Sequence, residues 1–202
     1  MAEKSVTRGY GLLEKVLAMQ RAKVANRHIT SELRSGRLLD IGCGAYPYFL
    51  TNTEFKEKFG LDSVGLVSSI DPIVLVRQDL SKKAVLPFDS NFFDVVTMLA
   101  VVEHLEAERL SGVLSEIRRV LKSGGLLVLT TPTRCADTLL KVMAKLWLVS
   151  STEIEDHKDV YDHPKIKVAL RNAGFTDAQI TCGYFEFFMN LWTVAKKRDV
   201  SS

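Results

Sequence analysis

The chain has 202 residues, of which 47% are hydrophobic, 25% charged and 8% aromatic, a globular composition that excludes disorder, collagen and coiled coil. No apolar run approaches the roughly 18 residues of a membrane span, so integral membrane association is not expected. The formal charge of +3 is uneven: residues 1–34 hold seven Lys or Arg against three Glu, and the remainder holds 20 bases against 21 acids. A basic leading segment suits an anionic substrate, a nucleic acid, a lipid surface or, most simply, the solvated face of a helix. The opening Met1-Ala2-Glu3-Lys4-Ser5 lacks the apolar core of a secretory signal, so a cytoplasmic location is expected. Cys43, Cys135 and Cys182 are far apart and read as reduced core thiols. No His and Cys set has metal-ligand spacing, so no metal is expected.

In chain order, residues 10–34 place Leu12, Leu13, Val16, Leu17, Val24, Ala25, Ile29 and Leu33 at roughly helical spacing, with bases on the other face and a stop at Ser35-Gly36. Arg37–Ile41 reads as a buried strand entering a tight turn. A helix is predicted over Tyr48–Lys58, a second strand over Lys58–Asp62 and a third over Ile73–Arg77. Phe93–Leu99 is a β-branched strand. A helix bearing Leu110, Val113, Leu114, Ile117 and Val120 follows, stopping at Lys122–Gly125, and the next strand is Leu126–Thr130. Alternating strand and helix from 37 to 131 predicts parallel βα units with helices on both faces of a sheet. Beyond Pro132 an apolar helix is predicted over 138–149, as a lid or core element, then a loop or short helix over Ser150–Asp162. A helix over Lys165–Ala173 follows, and last an antiparallel hairpin from Gln179–Glu186 and Leu191–Ala195.

The chemistry concentrates in Leu38-Leu39-Asp40-Ile41-Gly42-Cys43-Gly44-Ala45. A strand ending in Gly-x-Gly lets backbone approach a ligand closely, and the following helix N-terminus presents unpaired N–H groups. The nicotinamide fingerprint fails, because its third glycine position is Pro47. Asp62 ends the second strand, where a carboxylate can accept both hydroxyls of a ribose. Asp79 follows the third strand, where it can meet an adenine amino group. Leu86-Pro87-Phe88-Asp89, Phe93-Asp94-Val95-Val96, Glu103-His104-Leu105 and Leu121-Lys122-Ser123-Gly124-Gly125 complete the set.

Together these motifs resemble the class I S-adenosylmethionine-dependent methyltransferases over about residues 37–132. The resemblance implies an α/β, Rossmann-like doubly wound fold, with a seven-stranded, mostly parallel sheet, a terminal antiparallel strand and helices on both faces. It implies one domain over 1–202: a helical extension (1–36), a cofactor-binding core (37–132), and an acceptor-side lid with the C-terminal hairpin (133–202). It implies S-adenosyl-L-methionine as cofactor and S-adenosyl-L-homocysteine as product. Gly42, Cys43 and Gly44 would lie under the methionine moiety, and Asp40 would order the loop and help hold the methionine ammonium. Asp62 would take the ribose hydroxyls, Asp79 and Leu80 would face the adenine, and Leu99 and Ala100 would border the methionine end. The short Asp62–Asp79 interval reduces the second crossover and makes Asp71 a rival ribose ligand.

A sulfonium methyl is already electrophilic, so the protein needs to align a nucleophile, exclude water and, for a hydroxyl acceptor, remove a proton. His104 is the candidate base; its alternative role is to orient its loop. His157, Tyr161 and His163 lie in the segment expected to close over the acceptor, and read as lid structure before catalysts. Glu103 either neutralises a nearby base or touches substrate. The expected acceptor is a small molecule, lipid or glycan precursor. RNA is the alternative enzyme reading, though no RNA-binding aromatic signature or Asn-Pro-Pro-Tyr tetrapeptide is present. A non-catalytic cofactor-binding module is the reading from another class.

Overall fold

The computed structural model describes residues 12–64, 72–133 and 161–198, with side chains from Val16 onward. Seven strands form one sheet: β1 (Arg37–Ile41), β2 (Glu57–Asp62), β3 (Ile73–Arg77), β4 (Phe93–Leu99), β5 (Leu121–Pro132), β6 (Ile180–Phe185) and β7 (Asn190–Lys196). Their order is β3-β2-β1-β4-β5-β7-β6. The β1–β2, β1–β4, β2–β3 and β4–β5 pairings are parallel. β7 runs antiparallel between β5 and β6, so six strands point one way and β7 the other. The chain reverses direction at β1, which stands between β2 and β4, and the carboxyl ends of these strands open the crevice typical of such sheets.

Alternation along the central strands feeds two cores. Leu39, Ile41, Val96, Met98, Leu127 and Leu129 face one, closed by Leu110, Val113, Leu114 and Ile117 of α4 (Ala107–Val120) and by Ile166 and Leu170 of α5 (His163–Asn172). Leu38, Val95, Leu126 and Val128 face the other, closed by Ala22, Ala25 and Ile29 in and just after α1 (Leu12–His28), and by Phe49 and Leu50 of α3 (Tyr48–Thr51). Helices therefore cover both faces, as expected. Among the described residues no helix is long and apolar enough to cross a membrane.

Four predicted helices have different bounds, and β5 is longer at both ends than the expected Leu126–Thr130. The helix expected over 10–34 is broken: α1 ends at His28, Thr30 is extended, and α2 is Ser31–Arg34. Arg34 folds back to donate to the carbonyls of Asn26 (3.2 Å) and Ile29 (3.4 Å), satisfying acceptors that the break leaves open. The helix expected over Tyr48–Lys58 is one turn, α3, because pairing with β1 draws Glu57 and Lys58 into β2. α4 ends at Val120, and Leu121, buried opposite Phe93, already belongs to β5. α5 starts earlier than Lys165, with Asp162 accepting from the Lys165 amide at 2.9 Å and proline in the first turn. The predicted helix over 138–149, most of Ser150–Asp162, Cys135, Asp71 and His157 lie outside the described residues.

Candidate cofactor and methyl-transfer site

β1 ends in a loop whose Gly42 and Gly44 both hold left-handed backbone, φ +74° and +72°. The two glycines serve different ends. A Cβ on Gly42 would stand 2.3 Å from Val101 Cγ2, so this glycine lets the β1 loop pack against the turn after β4. A Cβ on Gly44 would meet only the Tyr46 carbonyl oxygen, at 3.9 Å, so here the backbone faces open space. The Gly42 amide donates to the Leu61 carbonyl at 2.7 Å, fastening the loop to β2. The Gly44 amide donates to Asp62 Oδ2 at 2.8 Å. Asp62 is buried, and its Oδ1 accepts from the Val64 amide at 2.9 Å. The carboxylate bonded to the glycine loop is therefore Asp62 and not Asp40, to which the resemblance gives the ordering of that loop.

Asp40 lies opposite Thr97 in the β1–β4 register and is buried. Thr97 Oγ1 donates to Asp40 Oδ1 at 2.6 Å. Loss of water raises the Asp40 carboxyl to about 7; the Thr97 hydroxyl partly opposes this and the neighbouring Asp62 charge adds to it. Cys43 belongs to the second core, its thiol pushed upward by burial and by Asp40 and Asp62. Its side chain packs inward, so it can offer a ligand only backbone, and the thiol is unreactive. Cys182, expected in the core, is half-buried on β6.

Asp79 follows β3, beside β2 through the bond from the Gln78 amide to the Asp62 carbonyl, 2.8 Å. Its carboxylate accepts from the Ser81 amide at 3.0 Å and the Ser81 hydroxyl at 2.6 Å, and pairs with Lys82 at 3.3 Å. The Ser81 hydroxyl, and then Lys82, hold this carboxyl below its ordinary range. Leu80 is buried in the first core. Leu99 ends β4; Ala100 has φ +58°, uncommon for a residue with a side chain, and its amide is tied to the Thr130 carbonyl at 2.9 Å. His104 closes a 3-10 turn, Val102–His104, with its ring half-buried and its amide donating to the Val101 carbonyl at 3.0 Å. Glu103 is buried and accepts from Thr131 Oγ1 at 2.9 Å. Tyr161 is buried, its hydroxyl donating to the Leu105 carbonyl at 3.0 Å, and His163 meets the Gly183 carbonyl at 3.1 Å. Both side chains thus meet backbone carbonyls of the fold.

The structure thus brings Asp40, Gly42, Cys43, Gly44 and Asp62 together at the carboxyl ends of β1 and β2, and Ala100 and His104 follow the end of the neighbouring strand β4. Sequence reasoning missed Thr97 and Thr131, which ordinary β-branched runs conceal. Among the described residues, neither Asp40 nor Asp62 has an ion-pair partner. Two buried carboxyls without a cation, beside a backbone open at Gly44, fit a ligand carrying its own positive charge, as S-adenosylmethionine does through its ammonium and sulfonium.

A family model described as a methyltransferase domain matches residues 16–180. The chain is 37% identical over 102 residues to a sterol 24-C-methyltransferase of Schizosaccharomyces pombe, a match spanning 44% of this chain and 26% of that protein. It is 24% identical over 212 residues to a demethylmenaquinone methyltransferase of Staphylococcus haemolyticus, covering 88% and 85% of the two chains. Among solved structures, an Archaeoglobus fulgidus SAM-dependent methyltransferase has a TM-score of 0.67 at 19% identity, covering 92% of this chain and 98% of that one. A Haloferax volcanii complex of a methyltransferase with its Trm112 activator has a TM-score of 0.68 at 20% identity, covering 91% and 93%. The sheet order, the acidic crevice and a family match over most of its length agree: the chain belongs to the methyltransferase-domain family and is an S-adenosylmethionine-dependent methyltransferase.

Proposed function

We propose that the chain methylates a lipid, or a small molecule with a large apolar body, by direct in-line transfer. S-adenosylmethionine supplies an electrophilic methyl on a sulfonium when bound. The observation that carries the site assignment is the pair Asp40 and Asp62, without an ion-pair partner among the described residues, against the open backbone of Gly44. Asp62 then has two tasks: Oδ2 holds the glycine loop, and its free lone pairs receive the ribose hydroxyls. Asp40 holds the methionine ammonium beside Gly42 and the Cys43 backbone. Asp79 and Leu80 form the adenine end, and Leu99 and Ala100 border the methionine. Placing donor and acceptor in line is worth up to about 7–11 kcal/mol in favourable systems. His104 is positioned to take the proton of a hydroxyl acceptor, while Glu103, tied to Thr131, braces the turn that carries it.

An apolar acceptor is supported by the two relatives, which are named for a sterol and a quinone, and by the aromatic residues at the carboxyl edge of the sheet, Tyr184 and Phe188. The residues 37–132 form the proposed cofactor-binding core, and 133–202 the acceptor side. Incubating the protein with methyl-tritiated S-adenosylmethionine and separated lipid, glycan and RNA extracts tests the reading. Label should enter the lipid extract. Label confined to glycan or RNA would overturn it.

A further inference from the structure

The turn joining β6 to β7 carries two phenylalanines outward at the edge where β5 ends. Phe187 is 98% exposed and Phe188 71%. Glu186, Phe187 and Phe188 hold φ of +51°, +52° and +67°, a left-handed run that residues with side chains seldom adopt. The run is held from several sides. The Met189 amide donates to the Glu186 carbonyl at 3.0 Å, Asn190 Nδ2 donates to Glu186 Oε2 at 2.5 Å, and Thr133 Oγ1 donates to the Phe188 carbonyl at 2.9 Å. On so constrained a backbone the Phe187 ring is presented outward, while the Phe188 ring keeps one face on Tyr184 at 5.5 Å.

The basic leading helix reaches the same edge. His28, in the last turn of α1, packs on Trp192, the third residue of β7, with ring centroids 4.1 Å apart and planes tilted by 38°, whereas Arg21 acts electrostatically on Glu186 at the hairpin tip. α1 therefore climbs toward the tip as it runs back to its N-terminus. Val16, about 7.5 Å of helix beyond Arg21 at ~1.5 Å per residue, is exposed, and so are Met19 and the base Lys23. On the other flank the His163 ring packs on Tyr184 at 4.4 Å, and Lys165, two residues further along α5, is exposed with its ammonium 5.9 Å from the Tyr161 ring; the acids on this edge are Glu186 and Asp162. Apolar rings with cations around them are the pattern of a surface that settles into an anionic bilayer interface. A protein partner fits less well: aromatic side chains bury about 150–250 Å² each, so two protruding rings fall well short of the ~800 Å² per side of a stable interface.

We infer that the Phe187–Phe188 tip, with the leading turns of α1, is a docking surface for an anionic lipid bilayer, which presents a membrane-resident acceptor to the cofactor crevice. The inference rests on the lipid-acceptor reading and adds where that lipid is met. The carboxyl edge holding the tip also holds Gly44, Asp62 and His104, so docking brings the bilayer to the methyl-transfer side of the sheet.

Cosedimentation of the full chain with vesicles of equal parts phosphatidylcholine and phosphatidylglycerol is the test. The wild type should sediment with these vesicles and much less with phosphatidylcholine alone. F187S/F188S should weaken binding at least about tenfold, and K23Q/K165Q about fivefold per charge. F187S alone, at a ring without packing partners, supplies a variant with no folding cost. S-adenosylhomocysteine should bind every variant with unchanged heat, and label transfer to detergent-dispersed lipid should persist in F187S while transfer to vesicle lipid falls. No sedimentation of the wild type, or vesicle binding indifferent to Phe187 and Phe188, overturns the inference. So does a change of oligomeric state in F187S/F188S, which would make the tip a protein contact. Failure of the methyltransferase reading itself would appear separately, as absent S-adenosylhomocysteine binding and absent transfer in detergent.

Discussion

Replacing Asp40 by Asn asks whether a buried, water-deprived carboxyl burdens the folded protein. Its group rises from 3.8 to about 7 on folding, so between these values the folded state keeps a proton that the unfolded chain has released. The slope of unfolding free energy is then negative, at about 1.36 kcal/mol per pH unit, and full ionisation costs the fold about 4 kcal/mol. Stability is therefore highest at acid pH for this group and falls as pH rises toward 7. Asn resembles the protonated acid in shape and can still accept from Thr97, yet it cannot ionise. From about pH 5 to pH 7 the wild type should lose about 2–3 kcal/mol relative to Asp40→Asn, roughly 5–10 °C of melting temperature for a chain of this size. His28, lowered by burial and then by Arg27, gives the opposite slope near its unfolded value, but both proteins share it and the difference removes it. The assay is paired thermal and urea unfolding across that range. Parallel stability curves for the two proteins would refute the reasoning.

Other consequences are direct. Asp62→Ala should abolish measurable S-adenosylhomocysteine binding by calorimetry, since it removes the ribose acceptor and frees the Gly44 amide together; near-normal affinity would reassign the ribose ligand to Asp71. Gly42→Ala forces a Cβ to 2.3 Å from Val101 Cγ2 at φ +74°, and should destabilise by about 2–4 kcal/mol in urea unfolding. Phe93→Ala, which empties the centre of the Phe59, Phe88, Phe92 and Phe93 cluster, should cost about 3–5 kcal/mol in the same assay. His104→Ala should lower turnover on a hydroxyl acceptor about a hundredfold or more while leaving S-adenosylhomocysteine affinity unchanged; unchanged turnover would confine His104 to its turn.

The strands were legible because each is a short apolar run with its own punctuation. Phe93–Leu99 has the bounds read from the sequence, and Ile73–Arg77 likewise. Where prediction slipped, a tertiary demand had overruled a local signal. Tyr48–Lys58 has helix-compatible composition, but the edge of β1 needed pairing and took Glu57 and Lys58. Leu121 continues the apolar stripe of α4 and also suits a strand, and its place opposite Phe93 decided for the strand. In the site, glycines and acids announced themselves through spacing. Which acid touches the loop could not be read that way, since Asp62 ends β2 and Asp40 stands one residue from the end of β1, and only the inter-strand geometry puts Oδ2 of Asp62 on the Gly44 amide. The hairpin itself was legible, but not the shape of its tip: Glu186, read as the last strand residue, already turns left-handed with Phe187 and Phe188, and β6 ends at Phe185.

The two acids also explain why the crevice needs both. Asp62 accepts from two main-chain amides, those of Gly44 and Val64, and so keeps the loop shaped for binding. Asp40 has one neutral hydroxyl and an anionic neighbour, so it holds its charge readily only when a cation arrives. Cationic S-adenosylmethionine should therefore expel a proton from Asp40 at mildly acid pH. The released fraction is read from calorimetric heats in buffers of different ionisation enthalpy. Near pH 6 it should approach one proton in the wild type, from the Asp40 value alone, and vanish in Asp40→Asn if any binding remains. Equal heats across buffers for the wild type would mean that Asp40 is already charged in the free protein, and that its burial is offset by a contact other than Thr97.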